Sequence, residues 1–282
     1  NSTTPQLLNS STPQLHNSTT PQLLNKMNEI SPLAYVSPKA QLGDGNVIGP
    51  FCVIHDDVVM GDNNHLLNNV TLHDGARIGS GNEFFPGASI ATKPQDLKFR
   101  GEVTTAEIGS DNSIRENVTI SRGTASKGKT VVGSGNLLME NMHVAHDCAI
   151  GNGCIIGNST KFAGEVTVHD NAIISAVVLC HQFCNIGGYV MIQGGSRFSL
   201  DIPPYIIAGR EPTRFCGINI IGLRRRGFTN ETIDIIHDTY RTIYGHGIIK
   251  DGIAEARAKY PESKECEYIC SFFEQSKRGV IR

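Results

Sequence analysis

Beginning at Ile30, an apolar residue returns at every sixth position as far as Phe198. Of the 29 positions in that register only Asp96, Glu102 and Ser126 break it, whereas the chain's 39% hydrophobic content would fill about 11 by chance. A period of six fits neither an amphipathic helix nor one long strand, but it does fit short strands joined by turns. The residue two places before each apolar position is often small or modest in size, as at Ala34, Cys52, Val70, Ala88, Val118, Cys148 and Val166. Strand alternation then turns both residues inward. Gly often follows the apolar residue, as at Gly43, Gly49, Gly61, Gly79 and Gly151, where a corner needs a relaxed backbone. Three such hexads close one triangular coil of 18 residues, and coils stacked about 4.8 Å apart as parallel strands form a mainly β rod. Each coil can bury its apolar edge only against its neighbours, so the rod has a continuous core.

Where the pattern lapses, its register survives, which predicts loops leaving the rod at 91–107 and 121–131. After Pro203-Pro204 the hexads end. Thr229 or Asn230 can cap a helix carrying Ile233, Ile236, Tyr240 and Ile243 on one face, and a later helix after Pro261 carries Ile269, Phe272 and Phe273. The expected organisation is a rod domain over 28–204, a connector at 205–221 and a helical domain at 222–282. The first 26 residues repeat NSTTPQLL three times with small variations and almost no charge, which predicts a disordered or artefactual leader with the authentic start at Met27.

A formal charge of -2 gives no sign of a nucleic-acid binder working through bulk positive charge, and Arg224-Arg225-Arg226 is the one visible basic cluster. No stretch approaches the roughly 18 apolar residues that span a bilayer, and no charged-then-apolar leader is seen. A soluble, cytoplasmic protein is expected. The 8 cysteines are expected to be free thiols in a chain of 282 residues without a secretory signal. Four of them (Cys52, Cys148, Cys154, Cys184) fall on the small inward position and Cys180 on the apolar one, which predicts core packing.

The stretch HVAHDC, residues 143–148, carries the chemistry of interest. Its residue types are open to four readings: a metal site, a Cys148 nucleophile with His146 as its base, a lone general base, or surface histidines without a role. The hexad register turns Cys148 inward. The 18-residue coil places Gly164 one coil above His146, Lys161 on His143, and Gln182 two coils above His146. One edge of the rod thus gathers His143, His146, Gly164, His181 and Gln182.

With QDLKFRGE, NLLMENMHVAHDC, HQFC, DIPPY and GLRRRGF, the sequence over essentially all of 28–282 resembles the UDP-N-acetylglucosamine O-acyltransferases of lipid A biosynthesis. The resemblance implies a left-handed parallel β-helix with a C-terminal helical domain, a homotrimer with substrate clefts between neighbouring subunits, and no cofactor or metal. It implies transfer of a 3-hydroxyacyl chain from acyl carrier protein to the 3-hydroxyl of UDP-N-acetylglucosamine. His146 matches the family's general base, an imidazole being able to take a proton near neutral pH. Asp147 matches the acid that orients it, although adjacent strand residues usually point apart, so contact requires a local turn. Gly164 matches a backbone N–H donor to the oxyanion. Asp96 and Lys98, and Asn219, Arg225 and Arg226, match residues that contact the sugar nucleotide, and the arginines also suit an acidic carrier protein. His143, His181 and Gln182 belong to the same substrate-binding band. Gly194 matches the position that sets acyl length, and a glycine there predicts a long chain.

Three positions depart from the family pattern. Ser121 and Glu165 stand in place of histidines, and Ile221 stands where a nucleotide-contacting glutamate is common. The rival readings are a zinc hydratase built on His143, His146 and His181, a Cys148 acyl-enzyme, the N-acyltransferase that acts later in the pathway, and a scaffold without catalysis.

Overall fold

Strands of mostly two residues recur in the hexad register because only the apolar residue and its predecessor lie flat before the next corner. The computed structural model describes residues 27–282, so the expectations for residues 1–26 lie outside the described residues. The strands form three parallel sheets in which each pairs with the strand three further along the chain, the faces of a left-handed parallel β-helix. The first face carries Val47–Ile48 and Leu137–Leu138, the second His143–Val144 and Lys161–Phe162, the third Ala149–Ile150 and Thr167–Val168.

Register shows how the helix tolerates its two breaks. The first and third faces pair at an 18-residue offset in most coils, as in Val47↔His65 and Ala149↔Thr167. Across the first break Glu83 pairs with Ser113, and across the second Thr119 pairs with His143. The first coil is therefore longer by two hexads and the second by one. Insertions in multiples of six keep every inward residue inward. Strands reach further into the breaks than the pattern suggested, at Ser89–Thr92, Thr105–Ile108 and Lys129–Val132, because Ala106 and Thr130 also point inward and are fully buried.

The core is a set of stacked columns. Ile48, Leu66, Phe84, Ile114, Leu138, Ile156, Ile174 and Ile192 run up one corner, none more than 1% exposed. Each such side chain contributes about 1.5–3 kcal/mol by leaving water. Ile30, in the first described coil, is 46% exposed because it has a neighbour on one side only. Cys52, Cys148, Cys154, Cys180 and Cys184 are all buried in these columns as free thiols.

Residues 205–221 do more than connect. Ile206–Gly209 extends the first face in parallel and Arg214–Ile218 folds back on it antiparallel. Four helices follow: α1 (Ile220–Arg225), α2 (Asn230–Gly245), α3 (Ile249–Lys259) and α4 (Lys264–Gln275). Thr229 caps α2 by accepting from the Thr232 N–H, and Ile233, Ile236, Tyr240 and Ile243 form its buried stripe. Ser263 caps α4, which buries Ile269 and Phe272. The Tyr240 hydroxyl donates to the Pro204 carbonyl at 2.6 Å, and the Gly188 N–H donates to the Tyr268 hydroxyl at 2.9 Å, so α2 and α4 are both pinned to the β-helix. No described helix is long and apolar enough to cross a membrane.

Candidate active site

The edge between the second and third faces turns at residues 145–148. Asp147 adopts φ 62°, in the left-handed region that non-glycine residues enter at a cost. That turn supplies the local geometry the sequence demanded: instead of pointing apart, the two neighbours meet, with His146 Nδ1 2.8 Å from Asp147 Oδ2. The imidazole is 19% exposed and the carboxylate 0%, so the ring faces the outside while its partner is sealed behind it.

The second excursion does the sealing. Thr124 donates to both carboxylate oxygens, its N–H to Oδ1 at 2.9 Å and its hydroxyl to Oδ2 at 2.6 Å. The Lys127 N–H reaches Oδ1 at 3.2 Å, and the Asp147 N–H donates to Thr130 Oγ1 at 2.8 Å. Burial pushes the Asp147 carboxyl up, but the hydrogen bonds from Thr124 and His146 outweigh it and hold the group below the ordinary carboxylate value. An ionised Asp147 fixes the proton of His146 on Nδ1 and leaves Nε2 free to accept one.

Gly164 lies directly over this ring. A Cβ built on it would fall 2.6 Å from His146 Cε1 and 2.7 Å from Nε2, so no larger residue fits without displacing the imidazole. Backbone bonds run from the Glu165 N–H to the His146 carbonyl (3.0 Å) and from the Phe183 N–H to the Gly164 carbonyl (3.1 Å), which stacks residues 146, 164 and 182 as the coil count required. Among the described residues the Gly164 N–H itself has no backbone partner. Lys161 sits on His143 in register. His143 Nδ1 lies 2.7 Å from Thr119 Oγ1, and burial, helped by Lys161 and His146, pulls its imidazole below the ordinary value. His181 and Gln182 are exposed, with His181 Nδ1 3.2 Å from the Gln182 carbonyl.

The departures have definite surroundings. Glu165 accepts from Ser126 Oγ at 3.0 Å and lies 3.8 Å from Lys127 Nζ, tying the second excursion to the turn above His146. Ser121 is buried against Thr92 Oγ1 at 3.1 Å. Ile221 is 68% exposed. Cys148 is 1% exposed, donates to the Ala163 carbonyl, and burial pushes its thiol up to about 12, so it is neither accessible nor ionised. No group of three or more His, Cys, Asp or Glu side chains spaced for a metal ion occurs among the described residues.

Of the remaining sequence-picked residues, Asn219, Arg226 and Gly194 are not gathered at this edge, whereas Asp96 and Lys98 belong to an excursion that leaves the rod along it, between Ser89–Thr92 of the second face and Thr105–Ile108 of the third. Asp96 and Lys98 lie on the first excursion, which is anchored by buried Phe99 with the Arg122 guanidinium 5.5 Å from its ring, and Asp96 Oδ1 accepts from the Lys98 N–H. Asn219 is largely committed to structure: its Oδ1 caps α1 by accepting from the Gly222 N–H at 3.2 Å, and its Nδ2 donates to the Tyr189 carbonyl at 3.0 Å. Arg226 donates to Asn171 Oδ1 and the Gly153 carbonyl, on the edge between the third and first faces, while Arg225 is exposed. Gly194 sits at the edge between the first and second faces, where a Cβ would lie 3.3 Å from the Ala176 carbonyl. Sequence reasoning missed Thr124, Lys127 and Thr130, whose only signal was their place in the hexad inserted below His146.

A family model described as UDP-N-acetylglucosamine O-acyltransferase, domain 2, matches residues 201–281. A UDP-N-acetylglucosamine acyltransferase from Bacteroides fragilis is 62% identical, with 90% of this chain and 100% of that chain covered at a TM-score of 0.88. The enzyme of the same description from Francisella novicida is 38% identical over 90% of this chain and 94% of its own, TM-score 0.87. That from Acinetobacter baumannii is 38% identical over 90% and 99%, TM-score 0.87.

Proposed function

The chain belongs to the UDP-N-acetylglucosamine acyltransferase family, and from that premise we propose how its own residues perform the acylation of UDP-N-acetylglucosamine in lipid A biosynthesis. The donor is a long 3-hydroxyacyl thioester of acyl carrier protein, and the acceptor is the sugar 3-hydroxyl. His146 Nε2 removes the hydroxyl proton as the oxygen attacks the thioester carbonyl. The Gly164 N–H donates to the oxyanion that forms, and Asp147 stabilises the imidazolium. Collapse of the tetrahedral intermediate breaks the C–S bond, and the carrier thiolate takes the proton back from Nε2, leaving an ester and a free thiol.

The observation that carries this reading is the His146–Asp147 contact of 2.8 Å beneath a glycine that only a bare backbone can occupy. His143, His181 and Gln182 flank the base as substrate contacts. Asp96, Lys98, Asn219, Arg225 and Arg226 serve the sugar nucleotide, with the arginines also facing the acidic carrier, and Gly194 leaves room for a long chain. No cofactor enters the reaction. The working unit is a cytoplasmic homotrimer whose clefts lie between subunits, since the nucleotide-matched Arg226 lies on a different edge from His146 in one chain.

The test is turnover of UDP-N-acetylglucosamine with a panel of 3-hydroxyacyl carrier proteins. The full chain is expected to favour long donors, and His146→Ala to lose roughly 10²- to 10⁴-fold in kcat with its fold intact. Turnover with no donor, or an unimpaired His146→Ala, would refute the reading.

A further inference from the structure

We infer that Thr124 is a positioning residue for this reaction, holding the Asp147 carboxylate in the orientation from which Oδ2 receives the His146 Nδ1–H. The inference rests on the reading of His146 as general base and extends it to a residue that hydrogen-bonds to Asp147 and not to the imidazole. A carboxylate beside a histidine in sequence can rotate about its own side-chain bonds. Two donors from one residue, at 2.9 Å to Oδ1 and 2.6 Å to Oδ2, remove that freedom. Thr124 is 6% exposed, and its own hydroxyl accepts from the Ser126 N–H at 3.2 Å, so the donor proton is aimed at Asp147. The extra hexad in the coil below His146 gives the chain the length to bring Thr124 across the edge. The inserted residues are thereby part of the catalytic corner.

A neutral donor on Oδ2 also shares the carboxylate's negative charge with the imidazole. Removing the hydroxyl leaves more charge facing His146 and less fixed geometry. Thr124→Val is expected to lower kcat roughly 10- to 100-fold with KM within about 2-fold. The acid limb of its kcat against pH moves to higher pH, because the imidazolium holds its proton more tightly. Thr124→Ser keeps the hydroxyl and is expected to restore both the rate and the limb. Thr124→Val combined with Asp147→Asn is expected to be no slower than Asp147→Asn alone, since the two act through one contact.

A Val variant with wild-type kcat and acid limb overturns the inference, as do Ser and Val variants that lose equally, or losses that multiply in the double variant. Should Thr124→Val not fold, Thr124→Ala takes its place, and equality of the Ala and Ser variants overturns the inference. Failure of the base reading is scored separately, by His146→Ala retaining turnover.

Discussion

Asp147 and His146 were legible as neighbours and as chemistry, but their contact was not, because strand alternation points adjacent side chains apart. What joins them is a left-handed turn at φ 62°, which recurs at the same phase of the hexad at Asn63, Asn69, Asp111 and Asn117; Asp is among the residues that adopt it, but apolar periodicity alone does not register it. Thr124 was illegible for a different reason: its partner lies 23 residues away across an inserted hexad whose course the register does not specify. Gly164, by contrast, followed from counting one coil. Its closeness to the ring makes a sharp test. In Gly164→Ala the new methyl would sit 2.6 Å from His146 Cε1, so either the imidazole or the upper coil must shift. A displacement near 1 Å at a general base costs up to about 10²-fold in rate. Gly164→Ala is therefore expected to lose 10-fold or more in kcat while its thermal unfolding stays close to wild type. Wild-type kcat would mean that the ring has slack and that the tight packing plays no part in turnover.

Among the elements, the hexads gave the coils and the two excursions, while the capping residues gave α2 and α4. The pattern missed α3, whose buried face is only Gly252, Ile253 and Ala256 and whose start at Ile248 has no side-chain cap. It also missed a polar column through the β-helix. Asn46, Asn64, Asn82, Asn112 and Asn136 are each no more than 2% exposed, and each side-chain oxygen accepts from the backbone N–H one coil on. These asparagines precede first-face strands at a constant phase, so the signal was present, but apolar periodicity alone does not register polar residues that turn inward. The column satisfies corner groups that the parallel ladder leaves over. Asn82→Ala strips partners from the Asn112 N–H and the Gly109 carbonyl, both within the wall of the coil. Leaving buried polar groups unpaired costs about 1–3 kcal/mol each. A clear fall in the thermal midpoint is expected, and an unchanged midpoint would show that water replaces the amide.

At the scale of the whole molecule, three imidazoles sit in partly sealed places along the rod: His73 stacked on His55, His143 beside the edge that carries His146, and His169 between the third face and α4. Burial is the leading cause that lowers each from the ordinary 6.5. The unfolded chain therefore takes up protons first as pH falls. Their contribution to stability is complete above 6.5 and is lost as pH drops from 6.5 through the folded values. The thermal midpoint should decline below that point, and His169→Gln should flatten the decline without altering the midpoint's value at pH 8 by a comparable amount. An identical slope in the variant would locate the acid sensitivity elsewhere. The division of labour between edges leads to a stronger test of assembly. His146 lies between the second and third faces, whereas Arg226 is bound to Asn171 and Gly153 between the third and first. If one subunit supplies the base and its neighbour the arginine, His146→Ala and Arg226→Ala chains, each nearly inactive alone, complement each other when co-expressed. In a ring of three, every mixed trimer then contains one cleft with both wild-type residues, so random assembly restores about a quarter of wild-type activity. Mixing after each trimer has formed should restore nothing until subunits exchange. Absence of recovery in co-expressed trimers shown by mass to be mixed would place base and arginine in the same subunit's cleft, and the cleft would have to wrap around the third face.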